Sequence, residues 1–337
     1  MRIAIRLLAL LLILCVGAVL VFWIGALAST DWDRQHSQAT AELPIFGGTE
    51  RNALVRLAVD GLEFRARVAG FDNPAPNGDI LLLHGFPETS VMWVPLIDAA
   101  SDAGYRVVAF DQRGYSPGAR PKELADYAIQ HLIADVLRVA DDVGFDNFHL
   151  VGHDWGSAVG WGLVLQDSSR LQSWTSLSIP HIAAFGDAIA EDPDQQQKSS
   201  YMLLFRTPWV PEQLFLFNDL SLLQESLFAD HKPSTRDEYR AVFSEPGAMT
   251  AALNWYRASS LQAPEPQDGA PQDLNVSLPV LFIWGNEDPA VGRKSVENQN
   301  QYFSDNLTEI ELTTGHWLME TATETVVAAV LKHVGGV

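Results

Sequence analysis

Asp154, Asp288 and His316 have the residue types and the chain order suited to covalent hydrolysis. Asp154 stands in Gly152-His153-Asp154-Trp155-Gly156, with a glycine two residues to either side. Small flanking residues permit a strained strand-to-helix turn, a nucleophile elbow, that lifts one side chain clear of the backbone. A serine so raised would suggest acyl transfer. A carboxylate suggests attack on saturated carbon, because it is ionised at neutral pH and displaces a leaving group without first losing a proton. Asp288 follows in Trp284-Gly285-Asn286-Glu287-Asp288-Pro289, and His316 in Gly315-His316-Trp317. Nucleophile, acid and histidine in that order converge if each stands at a strand end. Plainer readings exist for each: Asp154 and Asp288 as helix caps, and His316 as a surface turn residue.

The elements that must position these residues read as alternating strands and helices. Leu54 to Val59 and Leu62 to Val68 form a hairpin turning at Asp60-Gly61. Short buried strands are expected at Ile80 to Leu83, Arg106 to Phe110, Phe148 to Val151, Ser173 to Ile179, Val280 to Trp284 and Thr308 to Leu312. Helical spacing covers Trp93 to Ala103, Ile129 to Val143, Ser157 onward, Gly292 to Tyr302 and Thr323 to Val334. This alternation predicts a mostly parallel, doubly wound sheet covered on both faces, with ligands at the carboxyl ends of its strands. From His181 to Pro266 the chain is aromatic-rich, helical and without a convincing strand, which suits an inserted lid.

With these residues in place, the chain resembles an α/β-hydrolase-fold protein of the epoxide hydrolase and haloalkane dehalogenase branch, from about Leu54 to the C-terminus. His84-Gly85-Phe86-Pro87 resembles the branch's oxyanion-loop signature, and Gly152 to Gly156 its nucleophile elbow. The resemblance implies an oxyanion hole from the backbone N–H groups of Phe86 and Trp155, and a structural role for the His84 side chain. Leu253-Asn254-Trp255-Tyr256-Arg257 is similar to the lid segment of soluble epoxide hydrolases whose tyrosine donates to the epoxide oxygen. Ser200-Tyr201-Met202-Leu203-Leu204-Phe205 is similar, less closely, to the segment carrying the second such tyrosine. The implied reaction is ring opening by Asp154 with Tyr201 and Tyr256 as donors, then ester hydrolysis by water that His316, oriented by Asp288, activates. The expected substrate is a small hydrophobic epoxide and the product a vicinal diol.

Two related chemistries use the same elbow. Haloalkane dehalogenases also carry a tryptophan after the nucleophile, but many have asparagine where this chain has Phe86, so one halide donor is missing. Fluoroacetate-type dehalogenases place arginines at the positions of Trp155 and Ala158. A membrane-tethered ligand-binding protein with little turnover is the alternative from another class.

The remaining expectations concern the whole chain. Its 337 residues, 47% hydrophobic, suit one large globular unit with an insertion. A formal charge of -20 argues against nucleic acid or anionic lipid headgroups as partners. Cys15 is the single cysteine, so no intramolecular disulfide forms. No cofactor is expected, and the nine histidines are read as offering no metal-ligand spacing. Arg2 and Arg6 precede an apolar run from Leu7 to Ala28, long enough to cross a bilayer, while Ala26-Leu27-Ala28 also resembles a cleavage site. The flanking charges place the N-terminus in the cytoplasm and the catalytic part on the far side, or secreted or periplasmic if the segment is cleaved. The expected division is therefore 1–28 transmembrane anchor or signal, 29–52 linker, 53–180 and 267–337 hydrolase core, and 181–266 helical lid.

Overall fold

The computed structural model describes residues 14–18, 20–21, 43–227, 229, 231–258 and 273–337. The expected membrane anchor therefore lies almost wholly outside the described residues, as does the return linker around Pro264. Among the described residues no helix is long and apolar enough to cross a membrane.

Eight strands form one sheet in the order β1-β2-β4-β3-β5-β6-β7-β8. They are β1 Asn52–Val59, β2 Leu62–Ala69, β3 Asp79–Leu83, β4 Arg106–Phe110, β5 Phe148–His153, β6 Leu171–Leu177, β7 Val280–Gly285 and β8 Leu307–Leu312. Only β2 runs against its neighbours. It pairs antiparallel with β1 and β4, and every later pairing is parallel. The β1–β2 turn is built on Asp60 (φ 49°) and Gly61 (φ 79°), two left-handed residues in succession. Such a turn matches the twist of the strands it joins. Strands β3 and β5 are buried at every position, as expected for central parallel strands covered on both faces.

The covering helices follow from sequence patterning. The helix α1, Val94–Asp102, and the closing helix α12, Thr323–Val334, pack with Leu82, Val107 and Ile283 on one face of the sheet. On the other face lie α2, Ile129–Asp142, and α3, Trp155–Gln166. All of α3 from Trp155 to Val164 is buried, which explains its uniformly apolar sequence. The predicted linker is partly fixed at its C-terminal end: Ile45 bridges Arg56, and the Arg56 N–H donates to the Pro44 carbonyl at 2.8 Å.

Between β6 and β7 the described chain is helical: α4 Ile182–Glu191, α5 Pro193–Lys198, α6 Tyr201–Arg206, α7 Val210–Leu216, α8 Pro233–Phe243 and α9 Ala248–Ala258. A short π-helical turn, Leu223–Leu227, precedes α8. After β7 come α10, Arg293–Gln299, and the short α11, Leu318–Thr321.

Candidate active site

Asp154 follows β5 directly and adopts φ 50°, ψ −119°, with α3 starting at the next residue. Its side chain makes no capping hydrogen bond to that helix, so the plainer reading of this residue fails. Close packing requires the neighbouring glycines. A Cβ on Gly156 would overlap the Leu83 carbonyl, and one on Gly85 would overlap the side chain of Asp154 itself.

The two oxygens of Asp154 have different surroundings. The Phe86 N–H donates to Oδ1 at 2.8 Å. Oδ2 lies 3.6 Å from His316 Nε2. On the far side of that ring, the His316 Nδ1–H donates to Asp288 Oδ2 at 2.7 Å. Asp288 Oδ1 accepts from the N–H groups of Ala290 (2.7 Å) and Val291 (3.1 Å). Asp288 therefore caps no helix, since the next one begins at Arg293: one oxygen fixes the turn that follows it and the other orients the imidazole. All three residues are buried.

Burial alone lowers the pKa of the His316 imidazole, but attraction to Asp288 and hydrogen bonds to Asp154 and Asp288 outweigh it and raise it well above the usual value. Asp288 is pushed up by burial and, more strongly in sum, down by His316 and the two backbone donors, so it stays ionised.

Tyr201, at the start of α6, and Tyr256, on α9, face the same space, with ring centroids 6.3 Å apart. Burial, and after it nearby negative charge including Asp154, raises both phenols above their ordinary value. They stay protonated and able to donate. The Trp155 and Tyr256 rings meet edge-on with centroids 5.0 Å apart, so the indole and both phenols border one space. Trp155 occupies the first position of α3, where a backbone N–H has no partner within the helix. Asp154, His316, both tyrosines and Phe86 line a cavity of about 370 Å³. The rest of its wall is almost wholly apolar, with Leu204, Phe205, Leu214, Phe215, Leu222 and Trp317. A smaller void of about 20 Å³ adjoins Asp154 on the side of Trp155, Phe185 and Met202.

His84 is buried beside this site rather than in it. Its Nε2 accepts from the Gln112 N–H at 3.0 Å and its Nδ1 lies 2.9 Å from the Gly85 carbonyl, so the ring braces the oxyanion loop.

Two residues, one inside a quoted motif and one directly after another, escaped sequence reasoning. His153 Nε2 lies 3.0 Å from the His316 carbonyl, and its Nδ1 lies 2.7 Å from Glu88 Oε2. Both partners can only accept, so both ring nitrogens donate and His153 is an imidazolium. Burial opposes this, but Glu88 prevails and raises the His153 pKa. Glu88, which burial would raise, is lowered by His153 to about 2. The Ser178 hydroxyl also donates to the His316 carbonyl, at 3.1 Å. The main chain under the imidazole is thus clamped from two directions. Adjacency to His84-Gly85-Phe86-Pro87 and to Asp154 was the available signal.

The metal reading needs one correction. His149 and His153 are spaced His-x-x-x-His, contrary to the sequence reading. They lie on a strand, where residues four apart are separated by about 13 Å, and His149 is instead paired with Ser173 at 2.8 Å. Among the described residues one other group converges: His231 Nε2 lies 3.8 Å from Glu88 and 3.4 Å from Glu320. It stands behind Trp317, away from the cavity side of His316.

Comparison with known proteins follows the same lines. A profile of the alpha/beta hydrolase fold matches residues 80–323. Epoxide hydrolase 4 of Homo sapiens is 31% identical over 300 residues, covering 85% of this chain and 79% of that protein. Epoxide hydrolase A of Mycobacterium tuberculosis is 30% identical over 298 residues, covering 76% and 90%. Among solved structures, one of the epoxide hydrolases from metagenomes of hot environments superposes with a TM-score of 0.71 at 29% identity, covering 84% of this chain and 98% of that one.

Proposed function

Because the chain belongs to the alpha/beta hydrolase fold family and stands among its epoxide hydrolases, we propose that it converts a hydrophobic epoxide to a vicinal diol through a covalent ester on Asp154. The arrangement that carries this reading is a carboxylate with one oxygen held by the Phe86 N–H and the other facing His316, in an apolar cavity that also presents two phenols.

In the first half-reaction Asp154 Oδ2 attacks an epoxide carbon and the ring C–O bond breaks. Tyr201 and Tyr256 donate hydrogen bonds to the departing oxygen, where negative charge develops. In the second, His316 takes a proton from water and the hydroxide adds to the Asp154 carboxyl carbon. The Phe86 and Trp155 N–H groups hold the oxyanion as Oδ1 gains charge. Collapse expels the diol: its ester oxygen takes the proton from His316, the proton carried in on the added hydroxide passes through the tyrosines to the oxygen freed in ring opening, and the carboxylate is restored. Asp288 keeps the imidazole in the required tautomer throughout.

Haloalkane dehalogenation would use the same nucleophile. The apolar Phe86 side chain offers a departing halide no donor, and the two phenols facing Asp154 suit a developing alkoxide instead. The apolar run from Leu7 to Ala28 supports a membrane tether as part of this reading.

The test is intact and peptide mass spectrometry of a His316→Gln variant mixed with styrene oxide or with a chloroalkane. Loss of the base stalls the ester, so the peptide bearing Asp154 is expected to gain the full mass of the epoxide. An alkyl adduct from the chloroalkane alone would transfer the assignment to dehalogenation. No adduct with either would reject Asp154 as nucleophile.

A further inference from the structure

Exposed large apolar side chains are unevenly placed on this protein. Apart from the N-terminal segment, the described residues expose Ile45, Leu124 and Val337 singly, whereas Leu203, Leu204, Trp209, Val210, Leu214 and Leu222 crowd into one stretch of twenty residues. Leu203 is 69% exposed and Trp209 60%, values typical of charged surface residues rather than of leucine and tryptophan. Scattered single exposures need no explanation, but a contiguous patch marks an interaction surface.

The patch has a definite relation to the site. Leu204, Leu214 and Leu222 are exposed and also line the cavity that holds Asp154 and Tyr256. The apolar surface is therefore the rim of the substrate entrance, formed by α6, α7 and the turn that follows.

Its charge is equally distinctive. The chain as a whole carries -20, yet the only exposed charged residue between 201 and 222 is Arg206. Glu212 is buried against Arg257 at 2.8 Å, and Asp219 pairs with Arg240 at 3.3 Å. Over this stretch an acidic protein thus keeps its two acids buried or paired with arginine. A protein partner selected by charge is not served by this, and an aqueous epoxide does not require it. A lipid bilayer of neutral headgroups fits, since apolar side chains gain by entering the acyl boundary, tryptophan suits the headgroup level, and acidic groups would oppose approach.

The remaining chain supplies the means of contact. The apolar run ends at Ala28 and the main chain is bound to the sheet from Pro44. The residues between, 29 to 43, reach at most about 54 Å when fully extended. A hydrolase unit on so short a lead stays beside the membrane, where even weak docking of the rim is favoured by its high local concentration.

We propose that the rim formed by residues 203 to 222 docks on the neutral surface of a lipid bilayer, so that the cavity opens onto the acyl phase and takes up epoxides dissolved there. The substrate part rests on the epoxide reading above; the docking part rests on the exposed rim and on the tether proposed with that reading, not on the reaction.

Docking is tested on the full chain in phosphatidylcholine vesicles. A fluorophore is placed at position 203 by Leu203→Cys in a Cys15→Ser background, and quenching by lipids brominated along the acyl chain is measured. Quenching at least five-fold above that of a label at Glu123 is expected. Equal quenching overturns the proposal, as does a label that is shielded but unquenched, which would assign the face to a second copy or to residues 7–28. Uptake is tested with Leu203→Asp/Val210→Asp, neither of which lines the cavity. The variant is expected to lose at least five-fold in rate on a long-chain alkyl epoxide held in the vesicles and to keep its rate on styrene oxide in water. Loss of neither rate, or equal loss of both, overturns bilayer uptake. Absence of turnover in the parent chain on both substrates would reject the epoxide reading while the quenching result still decides the docking.

Discussion

Asp154 and His316 set each other's charge. The imidazole is raised partly by Asp154, so in the proposed mechanism ester formation, which neutralises that carboxylate, releases His316 to act as a base when a base is needed. Asp154→Asn reproduces the neutralised state. Its turnover is expected to fall by about 10⁴-fold or more, and nuclear magnetic resonance titration of His316 should show a pKa lower than in the parent; an unchanged value would deny the coupling. The sign for stability follows. A histidine raised in the folded state adds stability fully below its unfolded pKa, and loses it as pH climbs through the folded one. Tyr256→Phe removes one donor to the opening ring and is expected to cost about 10²-fold in kcat. Burst kinetics should place that loss in ester formation. Had Tyr256 only a packing role, phenylalanine would restore most of the rate. At this scale the convergence of Asp154, Asp288 and His316 was legible because each sits in a turn that glycine marks. Glu88 and His153 were not, since a buried ion pair leaves no periodic trace.

At the scale of elements, β4, β7 and α12 were legible almost to the residue because apolar runs end where glycine or polar residues begin. The edges of β6 and α3 were not. Ser178 at φ 70° ends β6 before the apolar run stops, and the turn at Asp154 lets α3 begin two residues before the expected Ser157. A left-handed residue of ordinary type does not announce itself in a pattern. The approach of three elements around Glu88, His231 and Glu320 was equally hidden, because it joins the oxyanion loop, the segment before α8 and α11. Burial and the nearby Glu88 charge raise the Glu320 carboxyl to about 7. The folded chain therefore keeps this proton over a range where the unfolded chain has lost it, so stability falls as pH rises from about 4.5 to 7. Glu320→Gln, which cannot ionise, should melt about 2–4 °C above the parent at pH 8. That gain should shrink toward pH 4.5. Thermal melts at both pH values check it, and a pH-independent difference would refute the cause.

Across the whole molecule, the tether is the feature most open to a direct check. Full-length protein expressed with its first 28 residues is expected to remain with the membrane pellet through alkaline carbonate. Release into the supernatant would remove the anchor from the reading. The order of elements along the chain has a consequence of its own. In the proposed mechanism Asp154, Tyr201 and Tyr256, which serve the opening of the ring, all lie before residue 258, and Asp288 and His316, which activate the water, come after β7 begins. The groups that make the bond thus precede the base that breaks it. On that reading a protein without Asp154 is inert, whereas one without His316 bonds once and never lets go, so it is the late histidine that converts a stoichiometric scavenger of electrophiles into a catalyst.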